Sequence, residues 1–298
     1  MTKPAPRMDR RALFASGAAA ALLAASGMSA AASPSRGGRL RVALSGASRS
    51  DTWDMRRAPG LFMQVAAAGA VFDTLTQVAA DGTLHGELAT GWTGSADART
   101  WDIELRRGVQ FHNGAPLTGR DVVASLGLHR ADMLAQIVDL RATGSHRVTV
   151  TLAVGNADFP YALSDPRFVI YPADDMDRAM AEGIGTGLYA VQRFQPGQQF
   201  LGRRVSEHYK DGQAGWFDTV ELVSVPAAPV RAEALRDGYV DAADLTDPAE
   251  LVDRSDIVLL PNARTMTQAA SRDLSMPGTI GHRWPLDNLR AAERWWRG

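Results

Sequence analysis

Cysteine is absent from this chain of 298 residues. Its absence excludes disulfides, thiolate nucleophiles and zinc sites built on thiolates. It does not assign a compartment, although a chain without thiols is compatible with an oxidising one. An excess of one charge is lacking as well, because 32 Lys and Arg face 33 Asp and Glu. Since no Lys/Arg block of the kind that follows phosphates is present, we expect no nucleic-acid partner.

The signatures of common enzymes are also missing. Neither G-x-S-x-G nor the phosphate-binding G-x-x-x-x-G-K-[ST] occurs. The glycine-rich run 183–187 (GIGTG) is followed by a predicted strand, whereas a dinucleotide site would need a helix there. The six histidines are scattered without an H-E-x-x-H pair, and we interpret His112, just before a predicted Asn113–Gly114 turn, as structural. We therefore expect no catalysis, no metal site and no cofactor.

The first 32 residues have the order of a secretory signal peptide. Four basic residues come first: Lys3, Arg7, Arg10 and Arg11. An Ala-rich run then continues to about residue 25, and Ala30–Ala32 fits a small-residue cleavage site. Residues 9–14 (DRRALF) resemble a twin-arginine export signal, and a Sec-type signal is the alternative. The run is too short and too rich in alanine to be a good membrane span.

Cleavage after residue 32 would remove those four basic residues and Asp9, which leaves a net charge near −4. No later segment has the length and hydropathy of a membrane span. We expect a mildly acidic mature chain, located in the periplasm and without an integral membrane segment.

Hydrophobic patterns along the mature chain predict a mixture of strands and helices. Strands are predicted at 39–44, 100–105, 109–111, 148–152, 188–194, 200–205, 219–225 and 239–242. Helices are predicted at 61–75, from Thr118 to about residue 130, at 230–236 and at 286–296. Thr118 and Asp121 resemble a capping box, and Asp81–Gly82 indicates a hairpin turn. Because strict βαβ alternation is absent, we expect an α/β (mixed α+β) fold with mixed sheets.

One segment resembles a known family. Within residues 71–126 the matching positions are Asp73–Thr74–Leu75, Asp81–Gly82, Leu88–Ala89, Trp92, Leu105–Arg106, Gly108–Val109, Phe111–His112, Gly114, Pro116–Leu117–Thr118 and Asp121–Val122. Their spacing resembles the signature of the bacterial extracellular solute-binding proteins of family 5, the peptide/nickel type that serves ABC importers. Residues 185–189 (GTGLY) and 230–242 (VRAEALRDGYVDA) resemble two later blocks of that family. The resemblance covers about residues 37–245.

The resemblance implies a periplasmic-binding-protein-like lobe that captures a small peptide or similar polar solute and delivers it to an ABC permease. Family members continue into a second lobe, which we expect to be missing here, although residues 285–296 faintly resemble its opening helix. The expected organisation is a signal peptide (1–32), a first lobe (33–245) and a poorly defined C-terminal segment with a terminal helix (246–298).

Candidate ligand contacts follow from the same resemblance, because the loop after the first strand lines the cleft in that family. They are Asp51, Thr52 and Trp53 in that loop, and Thr186 and Tyr189 beside the glycine-rich run. The alternatives are that Trp53 packs over the core of its own lobe and that the glycines only form a tight turn. Two functions stay open: the solute-binding component of an ABC importer, or a truncated, non-transporting remnant that acts as an interaction module.

Overall fold

The computed structural model describes residues 34–57, 59–79, 81–260, 267–277 and 286–298. In chain order its strands are β1 (Arg39–Leu44), β2 (Thr76–Val78), β3 (Leu84–Gly86), β4 (Ala89–Gly94), β5 (Thr100–Leu105), β6 (Ile137–Gly144), β7 (Arg147–Leu152), β8 (Tyr189–Gln195), β9 (Gln199–Arg204), β10 (Thr219–Ser224), β11 (Ala242–Leu245), β12 (Ile257–Leu260), β13 (Thr267–Ser271), β14 (Leu274–Ser275) and β15 (Trp296–Arg297). Its α-helices are α1 (Leu61–Ala66), α2 (Gly119–Gly127), α3 (Phe159–Ala162), α4 (Met176–Glu182), α5 (Ala228–Arg236) and α6 (Leu286–Arg294).

A seven-stranded mixed sheet is built around β1, in the order β12-β13-β11-β1-β10-β9-β8. β1 pairs in parallel with β10 on one side and with β11 on the other, and the remaining pairs are antiparallel. A parallel return needs a crossover, and α5 supplies the one between β10 and β11. The mixed α/β fold that the sequence predicts is confirmed.

Both faces of this sheet are covered, as the burial of β1 shows. Leu40, Val42 and Leu44 belong to the larger hydrophobic core together with α1. Ala43 points the other way, into a smaller core that includes Ala232 and Leu235 of α5. Two-sided covering is typical of strands that pair in parallel with both neighbours.

A second, antiparallel sheet has the order β4-β5-β7-β6. Trp101, Ile103 and Leu105 of β5 are buried, so the period-2 pattern in the sequence predicts the buried face correctly. Helix α2 packs on β6 and β7. The capping box at its start is confirmed, because the Asp121 carboxylate accepts the backbone N–H of Thr118 at 2.7 Å.

The helix predicted at 61–75 ends earlier than expected. Helix α1 passes into a π-helical turn at Ala67–Val71, and Phe72 N–H donates to the carbonyl of Ala67. The Gly187 N–H donates to the Val71 carbonyl at 2.9 Å. In a continuing helix, that carbonyl would have accepted an N–H from the helix itself. A Cβ at Gly185 would lie 2.1 Å from that same carbonyl oxygen, so only glycine allows this backbone-to-backbone packing.

Two other predictions differ from the structure, and two strands of the large sheet were not predicted. The strand predicted at 239–242 begins only at Ala242 and continues to Leu245, because Gly238 turns the chain with φ +74°. Residues 109–111 form a single bridge, Gln110 to Pro116, in place of a strand. Within 246–298, the sequence analysis did not predict β12 and β13, which extend the large sheet beyond β11. In the part of the chain that is described, we find no helix with the length and hydropathy that crossing a bilayer requires.

Candidate functional site

The loop after β1, residues 45–57, forms a polar surface at the carboxyl end of the large sheet. Ser48, Arg49 and Ser50 are exposed, while Asp51 and Thr52 are half-buried. Asp51 closes a turn, since its Oδ2 accepts the N–H of Ser48 at 2.9 Å and its own N–H donates to the Ser48 carbonyl. Burial raises the pKa of Asp51, and backbone hydrogen bonds from Ser48 and Gly197 partly oppose that rise. Open α/β sheets bind ligands outside the carboxyl ends of parallel strands, which is where this loop lies.

The start of this loop is attached to the neighbouring strand β11. The carboxylate of Asp244 accepts both the N–H of Ser45, at 2.8 Å, and its hydroxyl, at 2.6 Å. Arg231 of α5, which is only 1% exposed, donates to the Asp244 carboxylate. It also donates to the carbonyls of Val225 and Pro226. One buried ion pair thus connects the ends of β1, β10 and β11.

The five predicted contact residues do not share one surface. Asp51 and Thr52 lie at the loop surface, but Trp53 is 1% exposed and packs on Phe194 and Phe200 at centroid distances of 4.6 and 5.7 Å. Gly183 lies directly over the indole, where a Cβ would be 2.8 Å from the ring. As it stands, Trp53 contacts the core of its own lobe, and its role in ligand contact stays a prediction.

Thr186 and Tyr189 are buried too. The Thr186 hydroxyl donates to Asp73 at 2.9 Å. The Tyr189 hydroxyl lies 3.1 Å from the carbonyls of both Phe217 and Ala292, and the latter belongs to α6. Both side chains contact protein in place of solvent, and their predicted ligand contacts likewise stay predictions.

Two histidines form hydrogen bonds with the backbone of the glycine-rich run. His112 Nε2 lies 2.8 Å from the Gly187 carbonyl, and its Nδ1 accepts the N–H of Gly185 at 3.4 Å. His208 repeats the pattern, with Nε2 2.8 Å from the Thr186 carbonyl and Nδ1 accepting the N–H of Lys210. Each ring therefore carries its proton on Nε2. The structural interpretation of His112 agrees with these contacts.

Beneath this run lies a buried cluster of charged side chains, which we call the ion cluster: Asp73, Glu87, Lys210, Arg290 and Glu293. The Lys210 ammonium donates to Asp73 at 2.8 Å, to Glu87 at 2.6 Å and to Glu293 at 3.0 Å. Arg290 of α6 donates to Glu87 at 2.9 Å and to Glu293 at 3.2 Å. All five side chains are at most 10% exposed.

The charges in the ion cluster keep one another ionised. Burial is the largest influence on the pKa of Asp73 and raises it, but the positive charges of Lys210 and Arg290 bring it below its usual value. For Lys210 the signs are reversed: burial lowers its pKa, but the three carboxylates raise that pKa well above its usual value. Such groups are stable inside a protein only when each charge has partners of opposite sign.

Asp73, Glu87 and Glu293 also have the spacing of a metal site, since one oxygen from each lies within 4.8 Å of the others. The Lys210 ammonium occupies the space between them. Its three N–H donors match three carboxylate oxygens, so the chain itself supplies the cation that this arrangement requires.

Comparison of the sequence and the fold with known proteins identifies the family. The model of the bacterial extracellular solute-binding proteins, family 5 (middle), matches residues 83–271. The chain belongs to this family. The matched range contains β3 to β13, and with them the glycine-rich run and Lys210.

Several relatives of this family 5 protein are known. It is 34% identical to the uncharacterised protein YhjP of Bacillus subtilis over 164 residues. This match covers 51% of this chain and 27% of YhjP. Over 194 residues it is 28% identical to the nickel-binding periplasmic protein of Escherichia coli, covering 60% of this chain and 36% of that one. The binding protein AgaA of A. tumefaciens R10, solved with agropinic acid, is 26% identical with a TM-score of 0.69.

AgaA matches 76% of this chain, and the match covers 48% of AgaA. A Helicobacter pylori DppA structure with a bound peptide has the same fold, with 20% identity and a TM-score of 0.67. The family 5 protein described here thus spans about half the length of these solved relatives.

The sequence analysis missed the ion cluster. Its residues lie far apart along the chain, and the matching Asp73 was noticed only as part of a motif. A signal was present in the composition, because Lys3 and Lys210 are the only lysines among the 32 basic residues. After residue 3, Lys210 is the lone lysine in a chain that otherwise uses arginine, which indicates a position that requires a compact ammonium group.

Proposed function

We propose that this family 5 protein is the exported solute-binding component of an ABC importer, with peptides or similar small polar solutes as ligands. The observation that carries the proposal is the family match over residues 83–271. Residues 1–32, with the order of a signal peptide, support export to the periplasm. An ABC permease is the partner that the family implies.

The polar loop at the carboxyl end of the large sheet is the proposed solute-binding surface of this lobe. Its position follows from the parallel pairing of β1 with β10, and Asp51 and Thr52 are the side chains that it presents. The large apolar side chains that are exposed in the described residues are Val138, Val154, Tyr161, Val230, Tyr239 and Val252. None of them lies in residues 45–57, which favours a polar solute over an apolar protein partner at this surface.

Thermal unfolding of the purified chain from Ser33 onward tests this proposal. Di-, tri- and tetrapeptides, free amino acids and Ni²⁺ with histidine are the probes, the last chosen because one relative is a nickel-binding protein. A ligand of the native state at a hundred times its Kd adds roughly 2.7 kcal/mol to the free energy of unfolding, which raises the Tm measurably. We expect at least one peptide to do so.

The variant Asp51→Asn should weaken that response, and Asp174→Asn, an exposed carboxylate on a different surface, is the matched control. If no probe raises the Tm, the capture proposal is wrong and the remaining reading is an interaction module of the same fold. If only Ni²⁺ with histidine raises it, the ligand class is wrong while solute capture stands.

A further inference from the structure

The buried side chain of Tyr171 contacts the candidate solute-binding loop. The residue is 1% exposed. Its hydroxyl donates to the carbonyl of Trp53 at 2.7 Å and accepts the N–H of Met55 at 3.1 Å. One phenol group thus bonds two backbone groups of a loop that lies more than a hundred residues away in sequence.

The backbone of Tyr171 is itself held by helix α2. Its N–H donates to the Ser125 hydroxyl at 2.9 Å, and that hydroxyl donates in turn to the Asp121 carbonyl at 2.7 Å. Two residues later, the N–H of Ala173 donates to the Asp121 carboxylate at 2.7 Å. The ring also packs edge-on against Phe72 at 5.1 Å. Tyr171 therefore has little freedom to move, and neither have the loop atoms that it bonds.

The opposite end of the loop is fixed by Asp244 through Ser45, as described above. Between these two attachments, Asp51 closes the local turn and accepts a backbone hydrogen bond from Gly197. The Thr52 hydroxyl donates to the Met180 carbonyl at 3.4 Å. Asp244 and Tyr171 are thus two buried side chains that bond this loop, Asp244 before Asp51 and Thr52 and Tyr171 after them.

We propose that Tyr171 is a positioning residue for solute capture, whose hydroxyl holds the loop that presents Asp51 and Thr52 in its solute-receiving shape. This inference rests on the function proposed above. Burial raises the pKa of Tyr171, so the hydroxyl keeps its proton and can donate to Trp53 throughout the neutral range. When the loop is already ordered before binding, the solute does not have to supply the free energy that ordering the loop would cost. The affinity for the solute is therefore higher.

The variant Tyr171→Phe removes the hydroxyl and keeps the ring. The matched control is Thr76→Val, which removes the hydroxyl of an equally buried residue that donates to the Pro160 carbonyl at 2.7 Å, away from the loop. Amide hydrogen exchange of Met55 and the Kd of the tightest peptide found with the wild-type chain are measured for all three proteins. Amide exchange needs no solute, because it reports local opening of the loop.

We expect Tyr171→Phe to speed exchange at Met55 by at least about tenfold and to weaken the peptide roughly five- to tenfold, since each lost hydrogen bond has about this effect. Thr76→Val should lower the Tm by a similar amount and change neither quantity. The inference is overturned if Met55 exchanges at the wild-type rate, if exchange speeds up with no change in Kd, or if both variants weaken the peptide equally. If the wild-type chain binds no probe, the proposed function and the capture role fail together, and the exchange rates alone decide whether Tyr171 anchors the loop.

Discussion

At the scale of single residues, the ion cluster explains why position 210 carries a lysine. A guanidinium directs its N–H donors within one plane, whereas a compact ammonium directs three N–H groups to acceptors that surround it in three dimensions. In this protein those acceptors are Asp73, Glu87 and Glu293, each at 3.0 Å or less. The cluster therefore depends on the shape of the cation as well as on its charge.

Replacing Lys210 with methionine should lower the free energy of unfolding at pH 7 by about 3–5 kcal/mol, because it leaves buried carboxylates without their cation. Lys210→Arg keeps the charge and should still cost about 1–3 kcal/mol, because the larger planar group does not fit. Urea unfolding measures both values. Arg120→Met, which breaks an exposed ion pair with Asp174, is the control and should change little.

The pH dependence of the methionine variant gives a second test. In the wild type the pKa of Asp73 lies below its unfolded value, so its contribution to stability is lost as the pH falls through the folded pKa. In Lys210→Met, Asp73 stays buried but loses the ammonium that lowers its pKa, so its pKa rises and the folded variant takes up a proton before the unfolded chain does. The stability gap between the two proteins should narrow from pH 7 to about pH 4. A gap that widens with acid would contradict the ionised state of the cluster.

His112 makes a separate prediction about acid. Burial is the main cause that lowers its pKa below the usual 6.5, although the Gly187 carbonyl and Asp73 act in the opposite direction. The unfolded chain then takes up the proton first, so stability falls as the pH drops below about 6.5. His112→Asn should be less stable at pH 7 but should lose less stability between pH 7 and pH 5. His129, whose pKa is also lowered by burial, keeps part of the slope.

Chemical denaturation at several pH values measures this slope. His85→Gln is the control, since His85 lies on the exposed hairpin of β2 and β3. An unchanged slope in His112→Asn would mean that burial does not hold the ring neutral in the folded protein.

At the scale of elements, α6 is the feature that connects the C-terminal part to the core. Its Arg290 and Glu293 complete the ion cluster, and Trp295 just beyond it is 1% exposed. The Glu293 carbonyl accepts the N–H of Gly215 at 2.9 Å, and the Ala292 carbonyl lies 3.1 Å from the Tyr189 hydroxyl. Moving α6 away would leave buried charges without partners both on the helix and in the core. We therefore expect α6 to detach only when the whole protein unfolds.

We expect the amides of residues 290–294 to exchange only by global unfolding. In native-state hydrogen exchange with increasing denaturant, their opening free energies should equal those of β1 and β10. The variant Glu293→Gln should lower both sets together. Contrary evidence would be α6 amides that open several kcal/mol more easily than the central strands, because α6 would then be a separate unit.

At the scale of the whole molecule, Ser35–Gly298 form one compact unit in which the large sheet runs through the family match and beyond it. Helix α6 packs on α1 and on the π-helical turn, which are among the first elements of the chain. The early and late parts of the sequence thus share one core. The net charge of −1 gives no strong long-range attraction for a charged partner.

Local patterns determined much of this fold. Strands β1, β5, β7, β9 and β10 follow from period-2 alternation and β-branched residues, and α2 follows from its capping box, because these signals act over a few residues. The family followed from motif spacing between residues 71 and 126. Of the candidate site, the sequence located the loop that carries Asp51 and Thr52, since a loop after a first strand is a local feature.

Only the tertiary structure decided the rest. Whether Trp53, Thr186 and Tyr189 face solvent depends on segments that lie far away, and the structure buries all three. The early end of the predicted helix at 61–75 is set by a hydrogen bond from Gly187, more than a hundred residues later. The ion cluster gathers Asp73, Glu87, Lys210 and α6 from distant parts of the chain. Such contacts arise from packing in three dimensions, which no pattern of neighbouring residues encodes.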